Sequence, residues 1–253
     1  MACTARNKLL RDETHIKSLG RVADVRSVKS GMRICLERSR AMTKVYKETE
    51  GEFTAIRRAK ALAEYLDTMT LYTRPNELLV GCFASTEASV PIYPELYWRW
   101  LSKTIDRFPD YAAMVGTEEA KKELNEQFKY WEHYSIQGRE RDYVPSWIPW
   151  KVGELPSGAW TWQWEMCTPD FEKVMKVGLN GIIAEIDKRS DEVLNDITIH
   201  TEKRMDMLDE LRAMKISCEA VVRWGKRYAK LLEDEKKKIK DAKRLKELDK
   251  MIE

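Results

Sequence analysis

Five cysteines, three histidines, a pair of arginines and a run of tryptophans are the side chains from which this sequence could build chemistry. The cysteines (Cys3, Cys35, Cys82, Cys167 and Cys218) are odd in number and far apart, with no Cys-x-x-Cys pair and no histidine at ligand spacing. They read neither as a disulfide framework nor as a zinc site, so no metal is expected. Cys35-Leu36-Glu37 places a thiol two residues from a carboxylate, and Gly81-Cys82 joins a glycine to a thiol. Cys35 nevertheless lies inside a helical pattern, where a small buried hydrophobe is the simpler reading. His133 could act as a base, whereas His15 and His200 have no neighbouring carboxylate or nucleophile pattern, and a structural or exposed role fits all three. Arg57 and Arg58 could hold an anion near a helix start, but Lys60 and Glu64 follow, and a solvated or salt-bridged face fits better.

Nine tryptophans are many for this length, and Trp147, Trp150, Trp160, Trp162 and Trp164 fall within eighteen positions. Alternation at 160, 162 and 164 would put three indoles on one side of an extended strand, an apolar wall suited to a hydrocarbon or aromatic molecule. A packed core or a subunit contact would use the same residues equally well.

Composition excludes several function classes. Lys+Arg 45 against Asp+Glu 42 leaves a formal charge of +3, too balanced for a nucleic-acid or anionic-membrane footprint. No stretch approaches the roughly 18 apolar residues of a membrane helix, and MACTARNKLLRDETH lacks the apolar core of a signal peptide, so the expected location is cytoplasmic.

The elements that must position these residues are mostly helical. Cys35, Ser39, Met42 and Tyr46 recur at helical spacing from Met32 to Lys47, and Ile56, Ala59, Ala63, Leu66 and Met69 form the face of a second helix from Phe53 to Thr70. Arg74-Pro75-Asn76 is turn chemistry, and Leu78-Leu79-Val80 reads as a short strand buried on both faces, followed by a bulge or close backbone approach at Gly81. Pro91 and Pro94 hold the next stretch extended. Helices follow at about Glu95 to Asp106 and from Thr117, an N-cap with Glu118 and Glu119 in its first turn, to Tyr134. Residues 138–168 read as a long ordered loop. Thr168 as cap and Pro169 in the first turn restart a helix, with Asp170 and Glu172 at its positive end. The last long pattern places Met207, Leu211, Met214, Cys218, Val221, Val222 and Tyr228 on one stripe and ends in a charged helical tail, 233–253.

Glu37 to Arg40, Tyr46 to Glu52, Arg57 to Lys60 and Glu77 to Gly81 together resemble the start of the pyruvate formate-lyase domain of glycyl radical enzymes. There a Glu-Arg-Ala-Arg helix, a Tyr-Lys-x-Thr-Glu-Gly-Glu turn and an Arg-Arg-Ala-Lys helix precede a Glu-Leu-Ile-Val-Gly strand. The resemblance runs from about Arg21 to the charged tail, after an N-terminal extension over 1–20. It implies a fold class that is mainly α with few strands, the N-terminal part of a ten-stranded α/β barrel. The chain as a whole, 1–253, is then an incomplete portion of such a domain. The family's radical motifs, a Gly-Cys-x-Glu loop and an Arg-Val-x-Gly-Tyr loop, do not occur in this sequence. No catalytic residue is therefore assigned, and this chain is expected to bind no cofactor and to be inactive by itself. The glycyl radical is expected in a missing C-terminal part, installed by a separate S-adenosylmethionine iron-sulfur activase.

By the same resemblance, residues just before the Pro169-Asp170-Phe171-Glu172-Lys173-Val174 helix line the substrate cavity, which names Trp162, Trp164, Glu165, Met166 and Cys167. Diol-dehydrating members carry a Gly-His pair where Glu165 and Met166 stand here, a departure that weighs against dehydration of a small polyol. The tryptophans and the YW…RERDYVP stretch look most like the fumarate-adding branch, the benzylsuccinate and alkylsuccinate synthases. The implied partners are an apolar hydrocarbon or aromatic substrate with fumarate, the radical-activating enzyme, small accessory subunits and further copies of the full enzyme. Another glycyl radical lyase (arylacetate decarboxylase, formate C-acetyltransferase or dehydratase) and a non-catalytic helical binding protein are the alternatives.

Overall fold

The computed structural model describes residues 4–11, 33–86, 89–96, 98, 101–102, 105, 115–135, 138–139 and 170–253. After a helical stretch at 5–11, the order is β1 (Arg33–Cys35), α1 (Glu37–Glu48), α2 (Thr54–Thr68), β2 (Ser89–Pro91), α3 (Glu118–Tyr134), α4 (Phe171–Asn195), α5 (Thr201–Lys236) and α6 (Ala242–Ile252). This is the helix-dominated, strand-poor composition expected of an N-terminal portion of a pyruvate formate-lyase-type barrel. The two strands are parallel, pairing Arg33 with Ser89, Ile34 with Val90 and Cys35 with Pro91.

α1 and α2 bury the faces that their periodicity predicts. Ser39, Met42 and Tyr46 of α1 are buried, as are Ile56, Ala59, Ala63, Leu66 and Met69 along α2. One core joins α1 to α3: the Trp131 indole N–H donates to Thr43 Oγ1 at 2.9 Å, and its ring lies 4.9 Å from that of Tyr46. A second core joins α2 to α5 through Ala63, Leu66, Met69 and Ala220, and a third through Ile56, Ala59 and Ala213. In sequence order 56 and 59 meet 213, and 63 and 66 meet 220, so α2 and α5 run parallel. Alanines at the seam bring the two backbones close.

Several expectations are corrected. The helical pattern opening at Met32 is interrupted: Arg33–Cys35 is a strand, because pairing with Ser89–Pro91 outweighs the local periodicity, and the helix starts only at Glu37. Leu78–Val80 is not a strand; it is irregular, with Leu79 84% exposed. The preceding turn fixes its shape, since Glu77 N–H donates to Arg74 O at 3.1 Å and the Arg74 guanidinium pairs with Glu77 at 2.7 Å. Gly81 does make the expected close approach: φ is +120°, and an added Cβ would stand 3.2 Å from Trp224 Cη2.

Thr117 caps α3 as predicted, accepting from Ala120 N–H at 3.2 Å. α4 is capped instead by Asp170, which accepts from Lys173 N–H at 3.0 Å. Asp170 takes that position because its short carboxylate reaches the third helical N–H; Thr168 and Pro169 lie outside the described residues. α5 buries Ala213, Ala220, Tyr228 and Leu232; of the predicted stripe Tyr228 is buried, Met207, Leu211, Cys218, Val221 and Val222 are half-buried, and Met214 is 51% exposed. Close packing against α2 selects small residues there. The charged tail is helical, yet α6 breaks away from α5 and buries Leu248 completely.

Leu66→Ala should lower stability by about 2–5 kcal/mol through the cavity it leaves. Leu79→Ala should change it by less than about 0.5 kcal/mol, because that side chain is already in water. Denaturant midpoints of the two variants measure the contrast.

Candidate functional site

The cavity residues expected from the sequence, Trp162, Trp164, Glu165, Met166 and Cys167, lie outside the described residues, as do Cys3, His15 and Trp160. What the structure places is the ground beside them. α4 begins at Phe171, and its Lys173 lines a cleft of about 890 Å³ between α1 and α2 on one side and α4 and α5 on the other. Met42, Leu62, Ile182, Ile186 and Met214 make its apolar walls, and Arg38, Arg58, Glu95, Glu185 and Arg189 its charged ones. A volume of this size fits a small molecule.

A densely bonded corner of the cleft is built around Arg38 of α1. Its guanidinium donates to Ile92 O at 2.9 Å, grips the Glu95 carboxylate through both terminal nitrogens (3.1 Å to Oε2, and a closer contact to Oε1), and lies 3.8 Å from the centroid of the Tyr93 ring. The two side chains keep only 12% and 6% of their exposure. A planar fork matched to a carboxylate over an aromatic face is a geometry lysine cannot reproduce. This cluster joins α1 to the stretch leaving β2.

Across the cleft, Lys173 pairs with Glu185 at 2.5 Å at the surface. Arg58 is exposed and forms no ion pair among the described residues. Arg57 beside it is no anion site: it donates to Tyr46 O at 2.6 Å and lies 4.4 Å from the centre of the Tyr46 ring, so it closes the C-terminal end of α1.

The described thiols, Cys35, Cys82 and Cys218, are not arranged for catalysis. Cys35 is buried on β1 with its sulfur 3.3 Å from Ser85 Oγ, as the buried-hydrophobe reading expects. The Glu37 carboxylate faces elsewhere, accepting from Thr70 N–H and Oγ1 at 2.8 and 2.6 Å, so the Cys-x-Glu spacing makes no site. Cys82 accepts from the Tyr72 hydroxyl at 3.0 Å. Cys218 lines the cleft; burial, then the neighbouring Glu219 charge, pushes its thiol up, which keeps it protonated at neutral pH. His133 and His200 are exposed and do not line the cleft. Among the described residues no group of His, Cys, Asp and Glu could hold a metal ion, and no helix is long and apolar enough to cross a membrane.

Comparison with known proteins places this geometry. The model of the family described as pyruvate formate lyase-like matches residues 13–253. An isethionate sulfite-lyase of Desulfovibrio desulfuricans is 27% identical over 237 residues, covering 87% of this chain and 28% of that protein. The glycerol-bound B12-independent glycerol dehydratase from Clostridium butyricum superposes with a TM-score of 0.82 at 25% identity, over 100% of this chain and 30% of that one. A glycyl radical enzyme from Archaeoglobus fulgidus shares the fold at a TM-score of 0.72, over 87% of this chain and 28% of that one. The chain thus spans between a quarter and a third of the length of these proteins.

Arg38→Ala should cost about 3–5 kcal/mol, because it leaves the Glu95 carboxylate buried without its cation. Arg38→Lys should recover only part of that loss. Thermal or urea unfolding of the two variants, with Glu95→Gln as a third, reads the difference.

Proposed function

From the premise that the chain belongs to the pyruvate formate lyase-like family, we propose that it is the N-terminal scaffold of a glycyl radical enzyme that eliminates a leaving group from a small substrate. The observation that carries this reading is the likeness, over most of the chain, to proteins named as a sulfite-lyase and a glycerol dehydratase. Both names describe cleavage of a carbon–heteroatom bond. The activity belongs to the whole protein, and a radical-activating enzyme using S-adenosylmethionine is its partner.

Within that whole, this chain supplies structure. Neither radical motif occurs in it, Cys35 and Cys82 are engaged by Ser85 and Tyr72, and Cys218 is a protonated thiol on the cleft wall, so no step of the reaction is assigned to them. The Arg38–Glu95 cluster sets the position of the chain leaving β2, and Asp170 sets the start of α4, the two places from which substrate-facing segments would be held.

A second reading is favoured by a different observation. Trp160, Trp162 and Trp164, with Glu165 and Met166 where diol-dehydrating members carry a Gly-His pair, suit an apolar substrate. On that reading Trp162, Trp164, Glu165, Met166 and Cys167 wall a pocket in which a hydrocarbon radical adds to fumarate, a carbon–carbon bond-forming reaction in anaerobic metabolism.

The two readings separate in one anaerobic experiment on the full-length protein, activated by its radical-activating enzyme and offered either a small diol or hydroxysulfonate, or toluene with fumarate. Elimination products support the first reading; a substituted succinate overturns it in favour of the second. Residues 1–253 incubated alone with the activase should give no glycyl radical signal by electron paramagnetic resonance. Such a signal would sink the assignment of this chain as scaffold.

A further inference from the structure

α4 is not one continuous helix. At Gly178 the backbone takes φ 65° and ψ 175°, a combination open essentially only to glycine, and it divides a first piece at 171–177 from the body that follows. Nothing stands within 4 Å of where a Gly178 Cβ would be, so this joint has room to turn. Just beyond it, a Cβ on Gly181 would come within 2.8 Å of Val177 Cβ, so the base of the first piece rests closely on the body.

The first piece is unusually bare. All seven of its residues are exposed, including Phe171 at 70% and Met175 at 84%. With Val174, these two lie three and four residues apart and so form one apolar face. The surface ion pair Lys173–Glu185 ties it to the body of α4, and Lys173 already lines the cleft. An exposed pair of this kind holds weakly and is screened by salt.

We propose that 171–177 is a hinged arm that turns about Gly178 and closes over the cleft, with Lys173–Glu185 as the latch of the open position. The occupant of the closed cleft is the arm's own apolar face. Phe171 and Met175 leave water for the walls formed by Leu62 and Met214, the latter now half exposed. The cleft is thereby shut from solvent when the latch is released. This device is independent of which substrate the whole protein takes.

Cys218, on the cleft wall, is a native reporter. Peptide-resolved alkylation by iodoacetamide should slow at Cys218 in Glu185→Gln, by at most about fivefold, the most that loss of an exposed ion pair can shift the balance between open and closed. Adding Phe171→Ser and Met175→Ser, both at exposed positions, should return the rate to that of the parent protein. Hydrogen exchange should be faster at 171–177 than at 182–193. An unchanged Cys218 rate in Glu185→Gln, or protection at 171–177 equal to that of the α4 body, would overturn the proposal. Far-UV circular dichroism of each variant checks that the helices are intact.

Discussion

The close parallel packing of α5 on α2 is the constraint on which the rest of the described structure depends. Ala59, Ala63, Ala213 and Ala220 lie in its two cores. With no side chain beyond Cβ, they allow backbone separations that larger residues would forbid. The end of the seam is closed chemically. Arg227 donates to Met69 O at 2.8 Å and also to Leu66 O, carbonyls that the end of α2 leaves without a helical partner. α4 and α6 both pack on α5, and the segment around Gly81 rests on Trp224 and Tyr228, so a shift of α5 would move all of them.

Arginine on a backbone carbonyl recurs through the molecule. Arg57 meets Tyr46 O at the end of α1, Arg38 meets Ile92 O after β2, Arg204 meets Asp196 O and Ile199 O between α4 and α5, and Arg244 meets Glu77 O before Gly81. Each carbonyl lies at the end of a helix or strand, or in the irregular chain between elements, where it has no ladder partner. A guanidinium can reach such an oxygen from a neighbouring element while its stem covers apolar surface. These arginines therefore serve the fold itself rather than an anionic partner.

The legible parts of this fold are those whose determinants are local. The faces of α1 and α2, the Thr117 cap and the close approach at Gly81 follow from spacing, side-chain reach and the freedom of glycine. What was not legible depends on a partner distant in sequence. β1 exists because Ser89–Pro91 lies beside it, and Leu78–Val80 has strand-like composition but follows directly on a turn held by Arg74 and Glu77. Two of the residues that α5 buries, Ala213 and Ala220, are alanines that no hydrophobicity pattern ranks above Met214. The cleft draws on α1, α2, α4 and α5 together, so no single stretch of sequence announces it. The tryptophan-rich segment remains outside the described residues, and its role rests on resemblance.

The fate of Cys35-Leu36-Glu37 shows why spacing alone makes poor chemistry. A thiol two residues from a carboxylate is useful only if both side chains converge on a third molecule. Here the junction between β1 and α1 falls between them. The strand places Cys35 in the core beside Ser85, and the helix start directs Glu37 along the surface to Thr70 at the end of α2. The same carboxylate sits in the first turn of α1, where it suits the positive end of the helix. Both residues are thus already committed to holding the scaffold together. A reactive cysteine needs the opposite circumstances, an accessible thiol whose neighbours are free to activate it and face a substrate, and the helices around Cys35 use those neighbours to hold one another.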